Sequence, residues 1–433
     1  MKSDTKTDGR KNFLLGFKTL AGNFSPLRIR NIRIYMVGQT VNLLGDWMQQ
    51  TAQAWVVWDL THKATSLGIV AFLSQIPFFI FGPWVGTFSD KYDRRKILLY
   101  TQILTMLFAF ALAFLIQVHR LLLIHVYILA FLLGTATAFN VTAEQAFIGD
   151  IAGTGKIKKA IALNNIINQL TRLIGPAIAG WLIASVGLAP AFWYNGFSVI
   201  ISIICILIIH SVQNVKRADG TGLKQFKEGL IFFRNQRLLR LIILFAAIQT
   251  FFGLSIIQLL PAYSTLVLSG DASTLGKLIG SAGAGALAGI VIVLPFVQRI
   301  KRSCVAIGGA VIWAGCWYLA LSFSSNLSLS MTCQFMASLG AANVLTLSAG
   351  LAQELTPVHL RARIISTFLM IILGLQPFAS YLVGRVADMI GLKNTILING
   401  TCMIVLPALL LTIPSLFRLK ATVEIPVLRN QAA

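Results

Sequence analysis

Long, uninterrupted apolar blocks constrain this chain more than any other feature. Twelve such blocks lie between residues 34 and 417, each close to or above the ~18 residues that indicate a membrane-spanning helix. Only helices and closed barrels satisfy backbone polar groups in lipid, and these blocks are too long for barrel strands. The sequence therefore predicts an all-α polytopic membrane protein with twelve transmembrane helices.

Composition supports this class and argues against a soluble one. Hydrophobic residues make up 56% of the chain and charged residues 12%, although the net charge is +22. A soluble exterior needs more polar cover than this. The basic residues lie in short connections between apolar blocks and not beside stacking aromatic residues, so we expect no nucleic-acid partner.

The distribution of Lys and Arg predicts the orientation of the chain. Thirty of the 36 lie in the two tails and the connections after helices 2, 4, 6, 8 and 10, or at the adjoining helix ends. The opposite connections hold Lys63, Arg120 and Lys393. Because basic loops stay in the cytoplasm, we expect a bacterial inner-membrane protein with both termini cytoplasmic.

An internal repeat divides the chain into two halves. A shift of 204 positions superposes 150–196 on 354–400 and matches Asp150 with Glu354 and Asn195 with Asn399. We predict a cytoplasmic tail at 1–33, a six-helix half at 34–212, a cytoplasmic loop at 213–238, a second half at 239–417 and a cytoplasmic tail at 418–433. Such repeats place a substrate site near the midplane, between the halves.

The connection after the second block carries a spaced motif. Gly86, Asp90, Arg94 and Arg95 fall in the order of the G-x-x-x-D-(R/K)-x-G-R-(R/K) motif, with Asp93 in place of its second Gly. This stretch resembles the 2–3 loop of the major facilitator superfamily. The resemblance implies a gate that closes the cytoplasmic side, in which the arginines pair with acids across the halves.

A second motif lies in the fifth block. Gly175, Pro176 and Gly180 are similar to the G-P-x-x-G-G motif of superfamily antiporters and exporters, with Ala179 in place of one Gly. Such residues bend a helix and allow close packing. The resemblance implies export.

Most of residues 26–417 resembles the enterobactin-exporter-like, or transmembrane secretion effector, branch of that superfamily. The matching stretches are PLR at 26–28, GQT at 38–40, LGDWM at 44–48, WDLT at 58–61, AIALN at 160–164 and PVHLRAR at 357–363. Members of this branch export siderophores, macrolides or other drugs. The resemblance therefore implies the direction of transport more than the identity of the substrate.

Polar side chains recur at helical spacing within three blocks of the first half, and at membrane depth they are functional candidates. The first block carries Gln39, Asn42, Asp46, Gln49, Gln50 and Gln53; the fourth carries Asn140 and Glu144; the fifth carries Asn165, Asn168, Gln169 and Arg172. We expect these stripes to face a central aqueous cavity.

Asp46, Glu144 and Arg172 are the candidates for proton coupling. A carboxylate that exchanges Arg172 for a proton could link proton entry to substrate release. Two alternatives remain open from the sequence: a structural Asp46–Arg172 pair or a glutamine-capped carboxylate that holds helices together, and an Asp46 in a shallow hydrated pocket.

The second half offers fewer candidates. Gln249 and Gln376 are predicted cavity residues, and Arg385 and Asp388 are interpreted as a local pair on one helix. The five histidines are scattered and the five cysteines show no CxxC spacing, so we predict no metal site and no cofactor.

Together these features favour a non-enzymatic, monomeric secondary transporter. We expect it to export a small siderophore-like molecule or amphiphilic drug by proton antiport within the lipid bilayer. A proton-coupled importer and a non-transporting scaffold or receptor are the alternatives. No G-x-x-x-x-G-K-(S/T) motif supports an ATP-driven pump.

Overall fold

The computed structural model describes residues 25–153, 155–209, 236–297, 303–357 and 361–412, which form helices and no strand. The first half contains α1 (Arg30–Thr61), α2 (Ala64–Lys91), α3 (Arg94–Gln117), α4 (Leu123–Ala152), α5 (Ile157–Val186) and α6 (Ala189–Ile208). Residues 1–24 of the predicted N-terminal tail, 213–235 of the central loop, 413–417 of the second half and the whole predicted C-terminal tail at 418–433 lie outside the described residues.

The second half begins with two interrupted helices. In α7, the helix Arg237–Ile248 passes through a π-helical segment, Gln249–Leu254, into Ser255–Gln258 and Leu260–Leu266. In α8, Ala272–Ala288 continues through a π-helical segment, Gly289–Val293, into Leu294–Val297. The remaining helices are α9 (Ser303–Phe323), α10 (Leu327–Glu354), α11 (Arg361–Ile390) and α12 (Leu392–Leu411).

Eleven of the described helices are long and apolar enough to cross a membrane, and α1 is not among them. At 32 residues, α1 is about 48 Å long, which exceeds the hydrocarbon thickness. Its polar stripe lowers its mean hydropathy, and it is shielded because it packs against α5 and α6. The predicted all-α membrane fold of twelve helices in two halves is confirmed.

The two halves use the same packing scheme. In the first half α2 packs on α4, and α3 packs on α4 and α6. In the second half α8 packs on α10, and α9 packs on α10 and α12. Each pair therefore recurs after six helices, as an internal repeat requires.

Two helix pairs make most of the contacts between the halves, α2 with α11 and α5 with α8. We call the end of the bundle that carries Lys91–Lys96 the basic end, and the end that carries His62 and Lys63 the opposite end. Towards the opposite end the backbones touch: a Cβ on Gly68 would lie 2.5 Å from the Ser380 carbonyl oxygen, and one on Gly180 would lie 2.5 Å from that of Ala272. The opposite end is therefore sealed by small residues at close helix crossings.

Two glycines near the basic end lack such contacts. A Cβ added to Gly149 in α4 or Gly350 in α10 would meet nothing within 4 Å. Both glycines lie in the last turns of their helices. The close backbone contacts between the halves described above therefore lie towards the opposite end, and these two glycines make none.

Candidate substrate cavity

A cavity of about 530 Å³ lies between the two halves. This volume is within the range of small-molecule sites. Both halves contribute to its wall, with α1 to α6 on one side and α7, α8, α10 and α11 on the other. Ten of its 31 lining residues carry a carboxamide: Asn42, Gln49, Gln50, Gln53, Gln75, Gln102, Asn140, Asn195, Gln258 and Gln376.

The polar stripe of α1 forms much of this wall. Its members recur every three or four residues, so one face of the helix presents them together. Five of the six predicted positions line the cavity: Asn42, Asp46, Gln49, Gln50 and Gln53. Asn195 in α6 holds one of them in place, because its Nδ2 donates to Gln49 Oε1 at 2.8 Å.

Asp46 and Arg172 both line the cavity and do not pair with each other. Asn42 Nδ2 donates to Asp46 Oδ2 at 3.3 Å. The guanidinium carbon of Arg172 lies 5.3 Å from the centroid of the Trp47 ring, a cation–π geometry. The structure therefore does not contain the static Asp46–Arg172 pair that the sequence left open.

The motif in α5 explains how Arg172 reaches this position. A Cβ on Gly175 would lie 2.7 Å from Trp47 Cβ, so this glycine lets α1 and α5 approach closely. One turn further on, Gly180 packs against Gly276 of α8, and the carbonyl oxygen of Pro176 faces the same glycine. The three motif residues thus lie where α1, α5 and α8 meet, beside the cavity.

Glu144 lies outside the cavity lining and binds two amides instead. Gln39 Nε2 donates to Glu144 Oε1 at 2.8 Å, and Asn164 Nδ2 donates to the same oxygen at 2.9 Å. Gln39 is therefore the member of the α1 stripe that serves a second carboxylate. Asn140, one turn from Glu144, lines the cavity and donates to Thr101 Oγ1 at 2.9 Å.

The described arginines of the 2–3 motif bind within the first half. Arg94 Nη1 forms an ion pair of 2.8 Å with Asp150 Oδ1 of α4. Arg95 donates to the carbonyl oxygens of Ile206 and Leu207 at the end of α6, at 3.2 and 2.6 Å. The pairing of these arginines with acids across the halves stays a prediction. Gly86 and Asp90 lie in the last turns of α2.

Several predicted residues lie away from the cavity. Asn168 and Gln169 are not among its lining residues, Asn165 is exposed, and Gln249 is fully buried in the π-helical segment of α7. Of the α5 stripe only Arg172 reaches the cavity. Gln376, which the 204-residue shift matches with Arg172, lines it from the second half.

The interpretation of Arg385 and Asp388 as a local pair is wrong. Asp388 Oδ1 accepts from the backbone N–H of Ala64, and Oδ2 from that of Thr65, each at 2.8 Å. Arg385 instead approaches the Tyr381 hydroxyl at 3.4 Å. Asp388 therefore caps α2, where the positive end of a helix favours a carboxylate.

Sequence reasoning also missed Gln75, Gln102 and Asn164. Gln75 and Gln102 are each a lone amide in an apolar helix, and membrane depth alone makes such residues candidates. Asn164 lies beside the α5 stripe, one turn before Asn168.

A twelve-helix bundle in two repeated halves around a polar cavity defines a major facilitator transporter. Among solved structures, a POT family transporter in complex with a thioalcohol-conjugated peptide shares this fold, with a TM-score of 0.69, 12% identity, and coverage of 89% of this chain and 96% of that one.

The chain belongs to the transmembrane secretion effector family, whose model matches residues 21–430. It is 25% identical to the staphyloferrin A transporter of Staphylococcus aureus over 358 residues, which cover 82% of this chain and 89% of that protein. It is 22% identical to macrolide efflux protein A of Streptococcus pyogenes over 375 residues, with coverage of 85% and 92%.

Proposed function

We propose that this transporter exports a small organic molecule across the bacterial inner membrane by proton antiport. The resemblance to a staphyloferrin A transporter and a macrolide efflux protein supports export of a siderophore-like molecule or an amphiphilic drug. Alternating access then requires one half to rock against the other around the cavity. The predicted orientation makes the basic end cytoplasmic, so the close helix crossings at Gly68 and Gly180 lie towards the periplasmic side.

One observation carries this proposal: Asp46 lines the cavity between the halves and has no ion-pair partner within the part of the chain that the structure describes. A carboxylate in that position is available both to a proton and to a ligand. Glu144, held by Gln39 and Asn164, is a second proton site on the side of the cavity towards the basic end. Arg172 supplies a positive charge in the same cavity.

The proposal is tested in proteoliposomes that contain the purified chain and an imposed pH gradient. The substrate is first identified as the metabolite that is retained in cells lacking the protein and released when it is restored. We expect release to follow the pH gradient in the wild type and to fail in Asp46→Asn. Asp59→Asn, an exposed aspartate on the same helix, is the matched control.

Full gradient-driven export by Asp46→Asn would show that Asp46 takes no part in proton coupling. Uptake of the metabolite by intact cells would indicate an importer, and absence of any flux would indicate a scaffold or receptor.

A further inference from the structure

Two opposite charges share the cavity, and neither neutralises the other. Asp46 and Arg172 are the two charged residues among those that line it, and no nitrogen of Arg172 lies within 4 Å of a described carboxylate oxygen. Glu144, the other carboxylate of this region, binds Gln39 and Asn164. A ligand that enters the cavity therefore meets a guanidinium without an ion-pair partner among the described residues, and a carboxylate that contacts an amide and no described cation.

Arg172 favours an anion. A guanidinium removed from bulk water is stabilised by a carboxylate that accepts two parallel hydrogen bonds. The Trp47 ring occupies one face of the guanidinium, so its N–H edges are left for a ligand. A lipophilic cation would be repelled by Arg172, and its apolar surface would offer no hydrogen bonds to the carboxamides of the cavity wall.

An anion alone is inconsistent with proton antiport at Asp46. A charged Asp46 repels an anionic ligand, so protonation of Asp46 would strengthen binding and not cause release. A hydrogen-bond donor on the ligand reverses this effect of Asp46 protonation on binding. The donor competes with the proton for the Asp46 carboxylate, so protonation weakens binding. Antiport through Asp46 therefore requires a donor as well as an anion.

We infer that the substrate is a hydroxy- or amino-carboxylate, with its carboxylate on Arg172 and its hydroxyl or ammonium group on Asp46. The inference rests on the proposed export function and names the substrate class of the same cavity. The surrounding amides supply both donors and acceptors, so they fit the remaining oxygen and nitrogen atoms of a polar molecule.

Three matched probes test this pairing on the purified full-length chain by the shift of its thermal unfolding temperature. Citrate carries both groups, tricarballylate is the same molecule without the hydroxyl, and triethyl citrate keeps the hydroxyl without the negative charges. We expect citrate to bind, tricarballylate to bind about 10-fold more weakly because it lacks a hydrogen bond to a charged group, and triethyl citrate not to bind.

Two variants assign the contacts. Arg172→Gln should abolish citrate binding, whereas Arg385→Gln, an exposed arginine outside the cavity, should retain it. Asp46→Asn should reduce the difference between citrate and tricarballylate to less than about threefold, because an amide oxygen accepts less strongly than a carboxylate. Asp59→Asn should keep the full difference.

The inference is overturned if citrate does not bind at millimolar concentration, if triethyl citrate or tetraphenylphosphonium binds as tightly as citrate, or if Arg172→Gln binds citrate unchanged. Proton-driven export of a cation would also overturn it and would leave the export function intact. Absence of any proton-driven flux would instead overturn the export function.

Discussion

The carboxylate of Asp388 accepts a hydrogen bond from the backbone N–H of Ala64 at 2.8 Å, and its second oxygen accepts one from Thr65 at the same distance. Asp388 belongs to α11 and Ala64 begins α2, so this contact joins the two halves at the opposite end. Gly384 lies in the same crossing, because its Cβ would stand 2.5 Å from the Ala64 carbonyl oxygen. These bonds must break if the halves separate there.

We predict that Asp388→Ala loosens this end of the bundle. Hydrogen bonds to a charged group contribute about 1.5–3 kcal/mol, so the amides of Ala64 and Thr65 should exchange with solvent at least about 10-fold faster. Hydrogen–deuterium exchange with mass spectrometry measures this rate in nanodiscs. Met389→Ala, at an exposed neighbouring side chain, is the control, and unchanged exchange in Asp388→Ala would contradict the prediction.

The glycines of the α5–α8 crossing yield a second prediction. A Cβ on Gly276 would lie 2.5 Å from the Pro176 carbonyl oxygen, and backbone there cannot move without separating the helices. Gly276→Ala should therefore lower the free energy of unfolding by about 1–3 kcal/mol, the usual cost of overpacking. Denaturant titration in detergent measures the change.

Gly149→Ala is the matched control, since nothing lies within 4 Å of the added methyl group. In a helix this substitution should be neutral or stabilising, by up to about 1 kcal/mol. Equal effects at both glycines would show that the α5–α8 contact is not tight in solution.

Trp47 is predicted to determine substrate affinity through Arg172. Trp47→Leu removes the ring below the guanidinium and should raise the KM of export about 3- to 30-fold, which corresponds to a cation–π contribution of about 0.5–2 kcal/mol. Trp47→Phe should have a smaller effect. Trp181→Leu changes an exposed tryptophan of α5 and should leave the KM unchanged. If the KM is equal in all three variants, Trp47 does not contribute to substrate binding.

Glu144 and Asp46 should differ in one measurable respect. Glu144 is not among the cavity-lining residues, so Glu144→Gln should lose gradient-driven export and keep substrate–substrate exchange. The amide oxygen of Gln can still accept from Gln39 and Asn164, which preserves the local packing. Asp46→Asn should impair both activities.

The two activities are compared in the same proteoliposomes with and without a pH gradient. Glu354→Gln, at an exposed carboxylate of α10, is the control. Loss of exchange in Glu144→Gln would indicate a binding or folding role in place of proton transfer.

The fold was predictable from the sequence because lipid permits few alternatives. Block length, loop charge and the repeat can each be seen in the sequence without knowledge of side-chain contacts, and all three indicated twelve helices in two halves. The helix of Arg30–Thr61 shows the limit of hydropathy alone, because its stripe of amides makes it the least apolar of the twelve. Its spacing still gave the correct helical face.

The contact partners of individual side chains were harder to predict from the sequence. Spacing shows that Asn165, Asn168 and Arg172 share a face of α5, but not how far along that face the cavity extends. Asp388 binds backbone amides more than 300 residues away, and a backbone partner leaves no mark in the sequence. Similarly, nothing in the pattern of α1 separates Gln39, which binds Glu144, from the five neighbours that line the cavity.

That division within α1 has a mechanical consequence. Gln39 and Asp46 are seven residues apart on one continuous helix, about 10 Å along its axis. Gln39 binds the carboxylate of Glu144, whereas Asp46 presents its own carboxylate to the cavity. Any rigid tilt or rotation of α1 that moves the wall of the cavity must also pull on the bond to Glu144. A displacement of α1 at Asp46 therefore also displaces the hydrogen bond at Glu144. The helix can couple the two acids mechanically, without a continuous chain of water between them.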